Sequence, residues 1–167
     1  IELRAYPALL VAEVKTQGDR KEGVSNAFRA LAGFIFGDNA PQAKIAMTTP
    51  VIQEAGAKIA MTTPVVQESV EGGWTTRFVM PKEYTLATLP KPNNTNIKIY
   101  ETAPKRFAVI RFSGFVSDAN VAKHEGLLRA YVAANALKAN AQATYAYYDP
   151  PWTLPFFRRN EVMLELR

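Results

Sequence analysis

Apolar and polar residues fall into short blocks along this chain, and the period of the blocks changes twice in the same order. Ala8 to Val14 is apolar except for Glu13, which predicts a buried strand, and the polar run from Thr16 to Glu22 around Gly18 predicts a turn. The period then lengthens. Phe28, Leu31, Ala32 and Ile35 recur at the spacing of one helical face, with Ser25 as a cap and Gly37 as a stop. A loop over Asp38 to Pro41 follows, then two strand-like segments described below, and a further strand from Thr75 to Met80. Pro81 to Pro92 is proline-rich and reads as a connection with one helical turn near Tyr84 to Leu89.

The second half runs through the same order. Arg106 to Phe112 predicts a strand, Ser113-Gly114 a turn, and Asp118 to about Lys138 a helix capped by Asp118, with Val121, Leu128, Tyr131 and Val132 as its apolar stripe. Strands at Thr144 to Tyr148 and Val162 to Leu166 flank the loop Asp149 to Pro155. Strand, helix, strands therefore occurs twice. Two such halves predict an α+β fold, a twisted and largely antiparallel sheet or barrel with both helices packed outside it.

The two segments between the halves of this pattern carry one string twice, fourteen residues apart: Ile45 to Val51 and Ile59 to Val65 both read Ile-Ala-Met-Thr-Thr-Pro-Val, each preceded by Ala-Lys. Glu54 to Ala57 between them predicts a hairpin connection. A two-residue turn at Ala55-Gly56 would pair Met47 with Pro64 and put Met47 and Met61 on opposite faces. A connection with an odd residue count would put both on one face.

Length and composition set the outer limits. The 167 residues fit one domain spanning 1–167, and 48% hydrophobic with 21% charged residues is an ordinary globular composition with no apolar run near the roughly 20 residues of a membrane span. The chain starts at Ile1, so an upstream signal peptide is an open expectation, and with it a cytoplasmic or exported location. With no cysteine, disulfides, thiolate metal sites and cysteine nucleophiles are excluded. The net charge of +5 favours anionic partners, but Lys105-Arg106 and Arg158-Arg159 are only pairs, which argues against nucleic acid.

Candidate chemistry is sparse. His124 is the single histidine and lies within the apolar arc of the second helix; it reads either as a ligand to haem iron or pocket donor, or as a partly buried ring hydrogen-bonded to a neighbour. Met47 and Met61 read as haem ligands, as contacts for a flat aromatic ligand, or as core filler. Phe34, Phe36, Phe156, Phe157, Trp74, Trp152, Tyr145, Tyr147 and Tyr148 suit either a site for a large flat ligand or an ordinary β-rich core. Glu161 and Glu165 flank a strand without a context that raises a pKa, and the glycines form no phosphate loop. Asn93-Asn94-Thr95 matches the N-glycosylation pattern.

Five segments together carry a resemblance: Arg4-Ala5-Tyr6-Pro7; Phe28 to Leu31 through Gly37-Asp38-Asn39; Lys44 to Val51; Tyr148-Asp149-Pro150-Pro151; and Arg158-Arg159-Asn160-Glu161-Val162. In these the chain resembles the SOUL haem-binding proteins over nearly its whole length, and the doubled string is similar to the bacterial branch. The resemblance implies a twisted antiparallel β-barrel from two pseudo-symmetric βαββ halves with two flanking helices, like the GyrI-like binding domains. It also implies a non-enzymatic role: binding haem or another tetrapyrrole, for buffering or transport, in a shallow apolar groove beside the first helix. Phe28, Leu31, Phe34 and Ile35, with Met47 or Met61, would line that groove, and Arg29 and Lys44 would face propionates. Basic groups that mammalian members place there correspond to Gly33 and Leu154, and His124 aligns with a histidine that is not an established iron ligand. The competing expectations are a module for other hydrophobic, often cationic molecules, and a hydrolase using Glu161 or His124. A ligand-independent protein partner at an exposed sheet edge is a further expectation.

Overall fold

A computed structural model describes residues 1–18, 20–40, 65–70, 72–149 and 152–167. Strand–helix–strand–strand occurs in both halves, but the strand over 65–70 was not expected, since the strands expected between the first helix and Thr75 were the two copies of the doubled string. The first half contains β2 (Leu10–Gln17), α1 (Arg20–Phe36), β4 (Val65–Val70) and β5 (Gly73–Val79); the second contains β8 (Lys105–Phe112), α2 (Asp118–Ala134), β9 (Ala139–Tyr147) and β10 (Asn160–Leu166). Each half is preceded by one more strand, β1 (Glu2–Tyr6) and β7 (Lys98–Glu101), and a two-residue pair, β3 (Asn39–Ala40) with β6 (Lys91–Pro92), stands apart. No described helix is long and apolar enough to cross a membrane. The doubled string lies outside the described residues except Val65, which opens β4.

One antiparallel sheet of eight strands runs β1-β8-β10-β9-β4-β5-β2-β7. The halves join where β4 meets β9, from Val65 opposite Tyr147 to Glu68 opposite Thr144. Each half lends its first strand to the other: β1 pairs with β8, and β7 with β2. The expected barrel is not closed, because β1 and β7 are the two edges of the sheet. Chain links at 7–9 and 102–104 span the gap instead, held by Leu9 N donating to Thr102 Oγ1 at 3.1 Å and Thr102 N donating to Leu9 O at 2.9 Å. Pro7 and Pro104 stand in these links, and a residue without an N–H cannot extend a ladder there.

Alternation along each strand sorts side chains to two faces. On one face α1 covers Ala12, Val14, Phe78 and Met80 with Ala27, Leu31, Phe34 and Ile35. On the same face of the other half, α2 covers Ala108, Phe112, Val162 and Leu164 with Val121, Leu128 and Val132. A third cluster of Phe107, Val109, Ala146 and Met163, flanked by Tyr6 and Tyr148, lies on the opposite face.

Several boundaries differ from the sequence expectation. Helix α1 begins at Arg20, so Ser25 is interior, and Gly18 at φ +93° turns the chain out of β2. Gly37 does end it, at φ +121°, with Asp38 N bonding Gly33 O at 2.9 Å and Asn39 Nδ2 bonding Phe34 O at 2.7 Å, so the Gly-Asp-Asn segment is a C-terminal cap. Ser117, not Asp118, caps α2, its hydroxyl accepting from Asn120 N, and the helix ends at Ala134 rather than Lys138. β9 starts at Ala139, and β7 was not expected at all: at four residues it is too short to show a period.

Two glycines predict substitutions of opposite sign. A Cβ at Gly73 would fall 2.0 Å from Thr16 O, so Gly73→Ala should destabilise the chain by about 2–3 kcal/mol in urea unfolding. A Cβ at Gly126 meets nothing within 4 Å on the exposed face of α2, so Gly126→Ala should stabilise it by about 0.5–1 kcal/mol.

Candidate ligand-binding site

A groove opens on the face of the sheet opposite the helices. Its volume is about 260 Å³, and Tyr6 from one sheet edge and Tyr100 from the other both line it. Laid flat, eight strands would separate these edges by roughly 34 Å at about 4.8 Å per strand, so the sheet must curl strongly to bring both into one cavity. Pro7, Leu9, Val11, Val66, Val79, Phe107 and Met163 give an apolar lining contributed by both halves and one of the links.

Most of the groove's charged groups are paired with one another. Arg77 reaches Glu13 Oε2 with Nε at 2.7 Å and Glu68 Oε2 with Nη1 at 2.8 Å, and the Tyr100 hydroxyl donates to Glu13 Oε2 at 2.5 Å. Glu13 is buried. Burial pushes its carboxyl up, but the Tyr100 and Arg77 hydrogen bonds outweigh that and hold it below the ordinary value. The same burial, with the Glu13 carboxylate beside it, pushes the Tyr100 phenol up. Lys105 pairs with Glu165 at 2.7 Å. Three carboxylates (Glu68, Glu101, Glu165) and two cations (Arg77, Lys105) line the groove.

Beside the groove, the family-like segments converge on one carboxylate. Glu161 is fully buried, and Arg4 Nη1 reaches its two oxygens at 3.0 and 2.9 Å. Arg159 approaches Oε1 with Nε at 3.0 Å and Nη2 at 2.7 Å, and the Tyr148 hydroxyl donates to Oε2 at 2.8 Å. Burial, then the adjoining Glu161 carboxylate, push the Tyr148 phenol well above its usual range. Asp149 Oδ2 accepts from Arg159 N, and Asn160 Nδ2 bonds Gly114 O. These residues of Arg-Ala-Tyr-Pro, Tyr-Asp-Pro-Pro and Arg-Arg-Asn-Glu-Val thus hold the two ends of the chain to each other. Glu161, weighed from sequence as a catalytic acid or base, has both oxygens committed to structural partners.

The residues expected to bind ligand are dispersed. Leu31, Phe34 and Ile35 are at most 1% exposed and form the core under α1, while Phe28 is 40% exposed with its ring edge-on to Phe78. Arg29 is exposed on the same helix. Lys44, Met47 and Met61 lie outside the described residues. His124 is on α2 in the other half, half-buried, its ring stacked on Phe112 at 4.2 Å and its Nδ1 2.7 Å from Asn120 O. A carbonyl only accepts, so Nδ1 carries the proton. Of the described ones, Phe28, Arg29, Leu31, Phe34, Ile35 and His124, none lines the groove. The groove residues Arg77, Tyr100 and Glu68 carry no motif; the one sequence signal was Glu13, a charge inside an otherwise apolar strand.

The groove presents apolar walls and few uncommitted donor atoms. Its apolar walls offer contact for a flat ring. Of the possible axial ligands lining it, Tyr100 and Tyr148 have hydroxyls bonded to carboxylates and phenol pKa values raised, which disfavours a phenolate, the Tyr6 hydroxyl accepts from Arg4, and Met163 offers only a thioether. Among the described residues no group of three or more His, Cys, Asp or Glu is arranged to hold a metal ion.

Two stability predictions follow from these carboxylates. Glu161→Gln should cost about 2–4 kcal/mol in urea unfolding, because it leaves Arg4, Arg159 and Tyr148 facing a neutral group in a buried setting; an unchanged midpoint would contradict the anchoring role. Glu13 has its folded pKa depressed below the ordinary 4.5, so the unfolded chain binds its proton first on acidification. Its contribution is complete above about pH 4.5 and lost as pH falls through the folded value, and Glu13→Gln should flatten the acid side of a stability-against-pH curve.

Comparison with known proteins places this geometry. The fold is shared with a hydrolase from Listeria innocua (TM-score 0.67, 13% identity, 99% of this chain and 91% of that one). It is also shared with the EcmrR C-terminal domain (TM-score 0.70, 9% identity, 99% and 96%) and with SAV2435 bound to tetraphenylphosphonium (TM-score 0.50, 11% identity, 99% and 93%). No curated protein sequence matches the chain. The SOUL heme-binding protein model matches residues 1–56 and 53–165, two stretches that meet between the copies of the doubled string. With those matches spanning nearly every residue, and with the segments around Glu161 joined in space, the chain belongs to the SOUL heme-binding protein family.

Proposed function

We propose that the protein is a non-catalytic binder of haem or a related tetrapyrrole, and that the groove opposite the helices is its site. The observation that carries this reading is an open apolar groove whose acids and bases are largely spent on one another, alongside membership of a heme-binding family. Such a surface supplies contact area and orientation without a poised nucleophile or base. At about 260 Å³ the groove is slightly below the roughly 300–1,000 Å³ of most ligand pockets, so a macrocycle would insert one edge and leave the other in solvent. Partial insertion without an axial ligand favours release, which suits buffering or delivery.

The family resemblance favours a different surface, the outside of α1, where Phe28 and Arg29 would act with Lys44, Met47 and Met61 while Leu31, Phe34 and Ile35 support them from the core. A second ligand class is favoured by the groove's own charge: carboxylates outnumber cations three to two, which suits a lipophilic cation better than a dicarboxylate, and SAV2435 has been solved with tetraphenylphosphonium. A hydrolase reading, taken from the description of the Listeria innocua neighbour, would need a free acid or base, which Glu161 does not offer.

Parallel titrations with ferric haem, iron-free protoporphyrin and tetraphenylphosphonium separate these readings. We expect saturable one-to-one binding of haem and protoporphyrin with similar affinity, a loss of at least tenfold in Val79→Trp, and no change in His124→Ala. Normal binding in Val79→Trp with loss in Phe28→Ala/Arg29→Glu would move the site to α1. Selective binding of the cation, weakened in Glu68→Gln, would replace the tetrapyrrole with a lipophilic cation.

A further inference from the structure

Away from the groove, five large apolar side chains stand in solvent: Phe115 at 67% exposure, Trp152 at 82%, Leu154 at 55%, Phe156 at 64% and Phe157 at 70%. None belongs to a core cluster, and none lines the groove. They sit on two loops, one before α2 and one before β10, tied together by Gly114 N donating to Pro155 O at 2.8 Å and Asn160 Nδ2 donating to Gly114 O at 3.2 Å. A 3₁₀ turn over Pro155–Phe157 and the Arg158 Nε bond to Thr153 O at 2.7 Å fix the second loop. The exposed rings are therefore held outward by specific bonds. Phe156 and Phe157 pack together at 4.5 Å, and large apolar side chains left exposed on two loops tied to each other mark an interaction surface, since folding gains nothing from them.

We propose that this patch docks the protein on an anionic phospholipid surface. Protruding rings on loop tips are poorly shaped to enclose a small molecule but well shaped to enter a headgroup layer, where tryptophan and phenylalanine partition readily. Charge selects an anionic surface. The stretches 111–117 and 152–160 contain no Asp or Glu and carry Arg111, Arg158 and Arg159. Arg159 is paired with Glu161, and Arg158, bonded to Thr153 O, places its guanidinium 5.9 Å over the Phe115 ring within the patch itself. The acids flanking these stretches are Asp118, Asp149 and the buried Glu161, and Asp149 accepts from the Arg159 amide. The whole chain carries +5, which adds long-range attraction to the same surface.

The test uses the full chain with Trp74→Phe, which leaves Trp152 as the sole tryptophan. It is mixed with vesicles of phosphatidylcholine alone and of phosphatidylcholine with phosphatidylglycerol. The expected result is co-sedimentation with the anionic vesicles, a blue shift of Trp152 emission, and at least tenfold weaker binding after Phe156→Ser/Phe157→Ser. Arg158→Glu should weaken binding several-fold and 0.5 M salt should do the same. Phe156 and Phe157 are exposed and Arg158 is half-buried, and thermal unfolding establishes that each variant folds. Absence of binding by the folded parent, or binding that Phe156→Ser/Phe157→Ser leaves intact, overturns the proposal. So does a monomer–dimer equilibrium abolished by Phe156→Ser/Phe157→Ser without any vesicle binding, which would assign the patch to a second copy of this chain.

Discussion

The buried carboxylate of Glu161 is the constraint on which the arrangement depends. A carboxylate removed from water is costly unless its charge and lone pairs are matched, and here two guanidinium groups and one phenol match them. Those partners come from the first strand, from the end of β9 and from the approach to β10. Satisfying one charge thus fixes where three distant parts of the chain must meet. β1, lent by the first half to the edge of the second, is held beside β8 by its ladder and by Arg4's reach across to β10.

That exchange of first strands shapes the groove. Because β1 and β7 each cross to the opposite half, the links 7–9 and 102–104 run side by side and exchange hydrogen bonds where the sheet edges approach. Curl and crossing together make a cavity between halves that neither half could make alone. A second charged set, Glu13, Arg77, Glu68 and Tyr100, lies on the groove side of the first half as the Glu161 set lies beside the second. Each half therefore buries a glutamate on the groove side of the sheet, partnered by arginine and tyrosine.

Legibility from sequence followed the period of the pattern. Helices α1 and α2 and strands β2, β5, β8 and β10 showed as apolar runs or stripes because burial against a single layer forces those periods. β7 and the β1 pairing did not show, since a four-residue strand has too few positions and an edge strand has too few buried ones. The site was least legible. Leu31, Phe34 and Ile35 were noticed for their helical spacing, and that spacing is what places them in the core; Arg77 and Tyr100 were passed over because charged or phenolic residues in strands carry no distinctive spacing. The Arg-Arg-Asn-Glu-Val segment was recognised without its reason, which is a charge balance completed by one residue, Arg4, more than a hundred positions away.

What the sequence alone determined is the repeated order of strand, helix and strands, the cap after α1 at Gly37, the lack of thiol chemistry, and the family. These depend on local periods, single-residue backbone preferences and short contiguous strings, all of which are read along the chain. What only the tertiary structure decided is that the sheet stays open at β1 and β7, that the first strands are exchanged, that Glu161 is a buried anchor, and that the groove forms opposite the helices. Each of these rests on pairings between residues far apart in sequence, and a charge or hydrogen bond between such residues leaves no period for a single chain to display.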